Sequence, residues 1–195
     1  MSGPPTETGA STPPPPLTGQ APVVAVDVDG VLNPTYPGHA AALGYQPHAY
    51  RGPGPDGHPV AGTVWLHPEH GRWLAQLATA GAQLLWCTSW RQLAATWIAP
   101  RLGLPDGLPV LDVTVSGVAW GHQAKLFDLY QAVGDRPVAV LDDTFGGKDA
   151  AHAESRTHTG RPTLLVPVNP ITGLRRTDVD TVLAWLARLQ PPADR

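Results

Sequence analysis

Three stretches of this chain are apolar without alternation. They are Val23 to Val26, Leu84 to Cys87 and Val138 to Leu141. An unbroken run of four or five branched or large apolar residues predicts a strand covered on both faces, as in a parallel sheet. A fourth run, Pro162 to Val168, has the same character. Between them the apolar spacing changes to that of helices. Trp73, Leu74 and Leu77 predict a helix over 68–80, opened by Pro68 and Glu69 and closed by Gly81. Leu126, Leu129, Tyr130 and Val133 fall at i, i+3, i+4 and i+7 and predict another. Helices are also expected near Lys148 to Ser155 and from about Thr177, with Asp180 three residues on, to a stop before Pro191-Pro192. Strands alternating with helices predict an α/β domain with a doubly wound, mainly parallel sheet. A short strand is expected at Pro109 to Thr114, followed by a turn at Gly117 to Gly121.

Two segments fall outside this alternation. Residues 1–21 are rich in Pro, Gly, Ser and Thr, including four consecutive prolines at 13–16, and are expected to be a disordered tail. The domain then spans 22–190. Residues 34–67 lack helical periodicity and hold Tyr36, Tyr45, Tyr50 and Trp65, with a strand-like piece at Gly62 to Leu66. This predicts a flap or hairpin beside the site rather than a large cap domain. Its aromatics are candidates for stacking on bases. His67 and His70 flank the helix start at Pro68 and are expected to be surface or capping residues.

The polar residues that end the apolar runs carry the chemistry. Val23 to Val26 stops on Asp27, with Asp29 and Gly30 following; Leu84 to Cys87 stops on Thr88-Ser89; Val138 to Leu141 stops on Asp142-Asp143. In open α/β sheets ligands bind at the carboxyl ends of strands. A lone D-x-D-G also fits an ordinary strand-to-turn ending. Ser89 and Gln92 have the spacing of a capping box, so a helix is expected directly after the second strand. Its N-terminus would suit phosphate, although capping alone accounts for Ser89. Lys125 falls in the first turn of a helix, where a cation opposes the helix dipole. Nearby carboxylates or a bound anion would compensate; an exposed side chain is the alternative. Four carboxylates crowded at one sheet edge repel by on the order of 4 kcal/mol per pair at 4 Å. An all-oxygen set relieves this best with Mg²⁺. With no histidine or cysteine among the tip residues, zinc is disfavoured.

Composition narrows the class. The chain has 195 residues, a net charge of −3, and 13 basic residues of which only Lys125 and Lys148 are lysines. That charge gives no general attraction to nucleic acid or anionic membrane. The single cysteine, Cys87, excludes an internal disulfide framework and suits a reducing cytosol. The absence of a signal-peptide pattern and of an apolar span of about 20 residues fits a cytoplasmic protein with no membrane partner.

The motifs D-V-D-G-V-L-N-P, L-L-W-C-T-S, Lys125 and V-L-D-D, in this order, resemble the haloacid dehalogenase (HAD) superfamily of aspartate-nucleophile phosphatases. W-C-T-S-W and V-N-P-I-T-G-L are similar to capless members associated with RNA-repair proteins. The resemblance covers about residues 22–190 and implies roles. Asp27 would be the nucleophile and Asp29 the general acid and base. Asp27, the Asp29 carbonyl, Asp142 and Asp143 would form the Mg²⁺ site. Thr88, Ser89 and Lys125 would bind phosphate, and whether Asp149 joins the metal site stays open. A phosphorylated substrate such as a nucleotide or nucleic-acid end is implied. A phosphoacceptor signalling domain and a non-catalytic module of the same fold are the competing readings.

Overall fold

The computed structural model describes residues 17, 19–53, 58–113 and 117–190. Nearly all of the predicted tail, the end of the 109–114 strand and Pro191-Pro192 lie outside them.

Four parallel strands form the central sheet: β1 (Val23–Val26), β4 (Gln83–Trp86), β7 (Val138–Asp142) and β8 (Thr163–Pro167), in the order β4-β1-β7-β8. Alternate residues of each strand point to opposite faces. Val24, Val26, Leu84, Trp86, Ala139 and Leu141 build one core with helices α2 (Pro68–Thr79) and α6 (Arg176–Leu189). Val23, Ala25, Leu85, Cys87, Val138 and Val140 build the other with α4 (Lys125–Val133). Covering both faces is why these strands are continuously apolar. Helix α5 (Asp149–His158) leads into β8.

The flap begins with α1 (Pro37–Ala40) and a 3-10 turn, Ala41–Leu43. It then forms an antiparallel hairpin of β2 (Gln46–Pro53) and β3 (Pro59–Leu66). No large cap domain is present among the described residues. Of the flap aromatics, Tyr45 and Tyr50 are buried against the domain and Trp65 is half-buried, while Tyr36 is 57% exposed.

Other expectations need correction. Residues 109–113 form only a bridge, Val110 to Trp86, in which the Trp86 amide donates to the Pro109 carbonyl and the Leu111 amide to that of Trp86; Pro109 itself has no N–H to extend the ladder. The turn at 117–121 is the tip of a miniature hairpin, β5 (Val118–Ala119) with β6 (His122–Gln123). After β4 the helix does not start at Ser89. Ser89 to Arg91 make a turn with Arg91 at φ 46°, and the helical residues that follow comprise a π turn, Ala94–Ile98, and α3 (Ala99–Arg101). The Arg91 guanidinium donates to the Val113 carbonyl, which holds this turn in place. Helix α6 begins at Arg176: the Asp178 carboxylate accepts the Arg175 amide, while Asp180 pairs with Arg176 instead. His67 caps α2 by accepting the Glu69 amide, but His70 is fully buried.

Candidate active site

Sheet register brings the acidic residues together. Val26 pairs with Trp86 on one side and Leu141 on the other, so Asp27 stands one step beyond, level with Cys87 and Asp142. The Asp27 amide donates to the Leu141 carbonyl and the Cys87 amide to the Val26 carbonyl, carrying the ladder to the strand tips. By alternation Asp27 follows Val23 and Ala25, and Asp142 follows Val138 and Val140, onto the α4 face. Lys125, the first residue of α4, meets both. Its Nζ lies 2.7 Å from Asp27 Oδ2 and 2.6 Å from Asp142 Oδ2, and it is 2% exposed. The carboxylates supply the compensation that a cation at a helix N-terminus needs.

The other oxygens of the pair are anchored by backbone. Asp27 Oδ1 accepts the Val28 amide and Asp142 Oδ1 the Thr144 amide. Asp143 completes an acidic group: one oxygen from each of Asp27, Asp142 and Asp143 lies within 4.8 Å of the others. Burial pushes the Asp142 carboxyl up to about 7, against the pull of Lys125, and Asp27 adds to the rise. Burial and Asp27 raise Asp143 in the same direction. Burial disfavours a charged Lys125, but Asp27 and Asp142 outweigh it and hold the ammonium protonated. Cys87 is pushed up to about 12 by burial, which makes it a packing residue and not a nucleophile.

Fully ionised, three carboxylates against one ammonium would carry two net negative charges, and the upward shifts of Asp142 and Asp143 reflect that crowding. An oxygen-only donor set with that residual charge fits a hard divalent cation. Gly30 makes the cluster possible. It has φ 79°, and a Cβ there would overlap the Asp143 carboxyl group.

Asp29 is not part of this group. Its side chain is exposed. Oδ1 accepts from Asn33 Nδ2 at 2.8 Å and Oδ2 from Trp90 Nε1 at 2.8 Å. The sequence expectation of four crowded side-chain carboxylates is therefore reduced to three. Asn33 Oδ1 also accepts the Trp65 amide, so one amide side chain joins Asp29 to the flap. Trp90 stacks on Trp97 at 6.1 Å and meets the edge of Tyr50 from β2. Asn33 and Trp90 fall inside the motifs D-V-D-G-V-L-N-P and W-C-T-S-W, but nothing in their residue types shows that both donate to Asp29.

Thr88 is fully buried at the tip of β4, and its Oγ1 accepts the Trp90 amide at 3.4 Å. Ser89, half-buried, begins the adjoining turn. Asp149 lies away from the acidic group. It is buried in the first turn of α5 and accepts the Gln123 and Gly146 amides at 2.9 and 2.7 Å and pairs with His122 Nδ1. It ties the β5–β6 hairpin to the loop after Asp143. The loop 169–174 backs the site from the other side: the Leu174 amide donates to Val31 O, and Tyr45 OH donates to Thr172 O.

No helix among the described residues is long and apolar enough to cross a membrane. No curated protein matches the chain. A family model described as the HAD domain in Swiss Army Knife RNA repair proteins matches residues 23–179. With a four-stranded parallel α/β core, no large cap among the described residues and an acidic cluster at the strand tips, the chain belongs to this family of HAD domains, within a superfamily of hydrolases.

Proposed function

We propose that this protein is a Mg²⁺-dependent phosphatase that cleaves phosphate monoesters through an aspartyl-phosphate on Asp27. One observation carries the reading: Asp27 and Asp142 share the buried Lys125 ammonium while Asp143 completes a group within metal-binding distance. Asp27, Asp142 and Asp143, with the Asp29 carbonyl, would hold the ion. When bound, Mg²⁺ supplies positive charge opposite the phosphoryl oxygens.

Asp27 attacks phosphorus in line with the leaving oxygen, and the ester P–O bond breaks as the Asp27–phosphorus bond forms. Lys125 and the Thr88 hydroxyl, with Ser89, bind the equatorial oxygens on which charge is spread. Asp29 gives its proton to the leaving alkoxide and then takes one from a water molecule. That water attacks the aspartyl-phosphate, releasing phosphate and restoring the Asp27 carboxylate. The route to the site is not covered by a cap, which suits a nucleotide or a nucleic-acid end, and the family's description is consistent with that substrate class. We place the protein in the cytoplasm.

The test is turnover of an aryl phosphate with and without Mg²⁺ by the parent and by Asp27→Asn. The expected result is Mg²⁺-dependent release of phosphate by the parent and none by the variant. Equal turnover by both removes Asp27 as the nucleophile, and no turnover by the parent on any phosphate ester favours a non-catalytic module.

A further inference from the structure

The aromatic side chain most open to solvent is not in the flap. Trp120, at the tip of the β5–β6 hairpin, is 92% exposed. Its backbone is in the left-handed region, φ 56°, and Gly121 follows at φ 87°. Ala119 pairs with His122, and positive φ at both intervening residues is what such a two-residue hairpin turn requires, so the turn itself fixes where the indole projects.

The hairpin is rigidly held. The Gln123 amide donates to Asp149, and its side chain donates to the Thr144 carbonyl at 3.2 Å and accepts the Gly117 amide at 3.0 Å. The Lys148 amide donates to the Gly121 carbonyl. All these partners belong to the segment that follows Asp142-Asp143 or to the hairpin itself. The hairpin runs directly into Lys125, so the Trp120 Cα is no more than about 18 Å from that of Lys125. The exposed Lys148 lies with its methylene stem along Gly121, the residue after Trp120, and Phe127 is half-exposed on the adjoining first turn of α4.

A single projecting indole flanked by a lysine suits a planar, anionic-backboned ligand rather than a broad apolar partner. We propose that Trp120 is a stacking platform for a nucleobase near the phosphorylated end of a single-stranded nucleic acid, with Lys148 against its backbone. The proposal rests on the phosphatase reading only for where the terminal phosphate lies.

The test is equilibrium binding, which requires no turnover. A fluorescently labelled single-stranded RNA with a terminal phosphate is titrated with the parent, Trp120→Gly and Trp120→Phe. Gly removes the ring while accepting the left-handed turn, and Phe keeps a ring. A matching RNA whose terminal nucleotides lack bases is the control. The parent is expected to bind the intact end about 5- to 100-fold more tightly than Trp120→Gly, with Phe intermediate. The abasic end should erase that difference. Equal affinity of parent and Trp120→Gly, or a parent indifferent to the missing bases, overturns the proposal and leaves the ring to a protein partner. Loss of aryl phosphatase activity in the parent would overturn the catalytic reading and leave this result unchanged.

Discussion

The indole Nε1 of Trp90 donates to Asp29 Oδ2 at 2.8 Å, and this bond joins two segments 61 residues apart across the site. Asp29 is two residues beyond the proposed nucleophile, on an exposed turn where a carboxylate would otherwise sample several rotamers. Trp90 is itself wedged against Trp97 and Tyr50, and Tyr50 belongs to the flap. The direction of the proposed proton donor is thus set by an aromatic stack that includes the flap hairpin.

Replacing Trp90 by Phe keeps most of the stack and deletes the donor. Losing the bond that orients the acid should forfeit part of the roughly 10²- to 10⁴-fold that general acid catalysis contributes, so kcat should fall. The loss should be larger for alkyl phosphates than for aryl phosphates, whose leaving groups need protonation less. KM should change little. Steady-state kinetics on the two ester classes checks this, and a uniform loss on both would assign Trp90 to packing alone.

Gly30 offers a way to disturb the acidic group without removing a carboxylate. A methyl group there is strained by φ 79° and overlaps Asp143, whereas Gly81, also left-handed at φ 93°, faces open space. Both Gly30→Ala and Gly81→Ala should lose roughly 1–2 kcal/mol from backbone strain. Only Gly30→Ala should also displace Asp143. Thermal melts with and without Mg²⁺ separate the two: the stabilisation by Mg²⁺ is expected in the parent and in Gly81→Ala, and weakened in Gly30→Ala. An undiminished Mg²⁺ effect in Gly30→Ala would remove Asp143 from the metal site.

Much of this was legible from the chain because strand burial and strand endings are local signals. Val23 to Asp27 and Val138 to Asp142 each show a doubly covered strand and the charged tip that follows it. Lys125 was identifiable as a cation at an unfavourable helix position, which requires a partner. The part that was not legible depends on contacts between distant segments. Nothing in S-W-R shows that Arg91 will enter the left-handed region and delay the helix, since its bond to Val113 is tertiary. Two of the flap aromatics that look available for ligand in sequence are not: Tyr45 is spent on the Thr172 carbonyl and Tyr50 on the tryptophan pair. Trp120 falls in the turn expected at 117–121, but nothing local marks its side chain as the one that stands 92% exposed.

His70 links the support of the site to pH. It is buried beneath the 169–174 loop with Nε2 3.0 Å from the Leu174 carbonyl, which requires a proton on Nε2. Burial lowers its pKa to about 3; the Leu174 carbonyl works against this and His67 adds to it. An unfolded histidine titrates near 6.5. Above that pH neither state carries the proton, and stability owes nothing to this group's titration. As pH falls from about 6.5 toward 3, the unfolded chain takes up a proton that the folded protein refuses, so stability declines by about 1.4 kcal/mol per pH unit. His70→Gln retains a donor for Leu174 but cannot titrate. Denaturant unfolding at pH 7.5 and 5.5 should therefore show the parent losing about 1 kcal/mol more than the variant over that interval. An identical pH dependence in the two proteins would mean that His70 accepts a proton in the folded state, and that the loop it holds yields to let it do so.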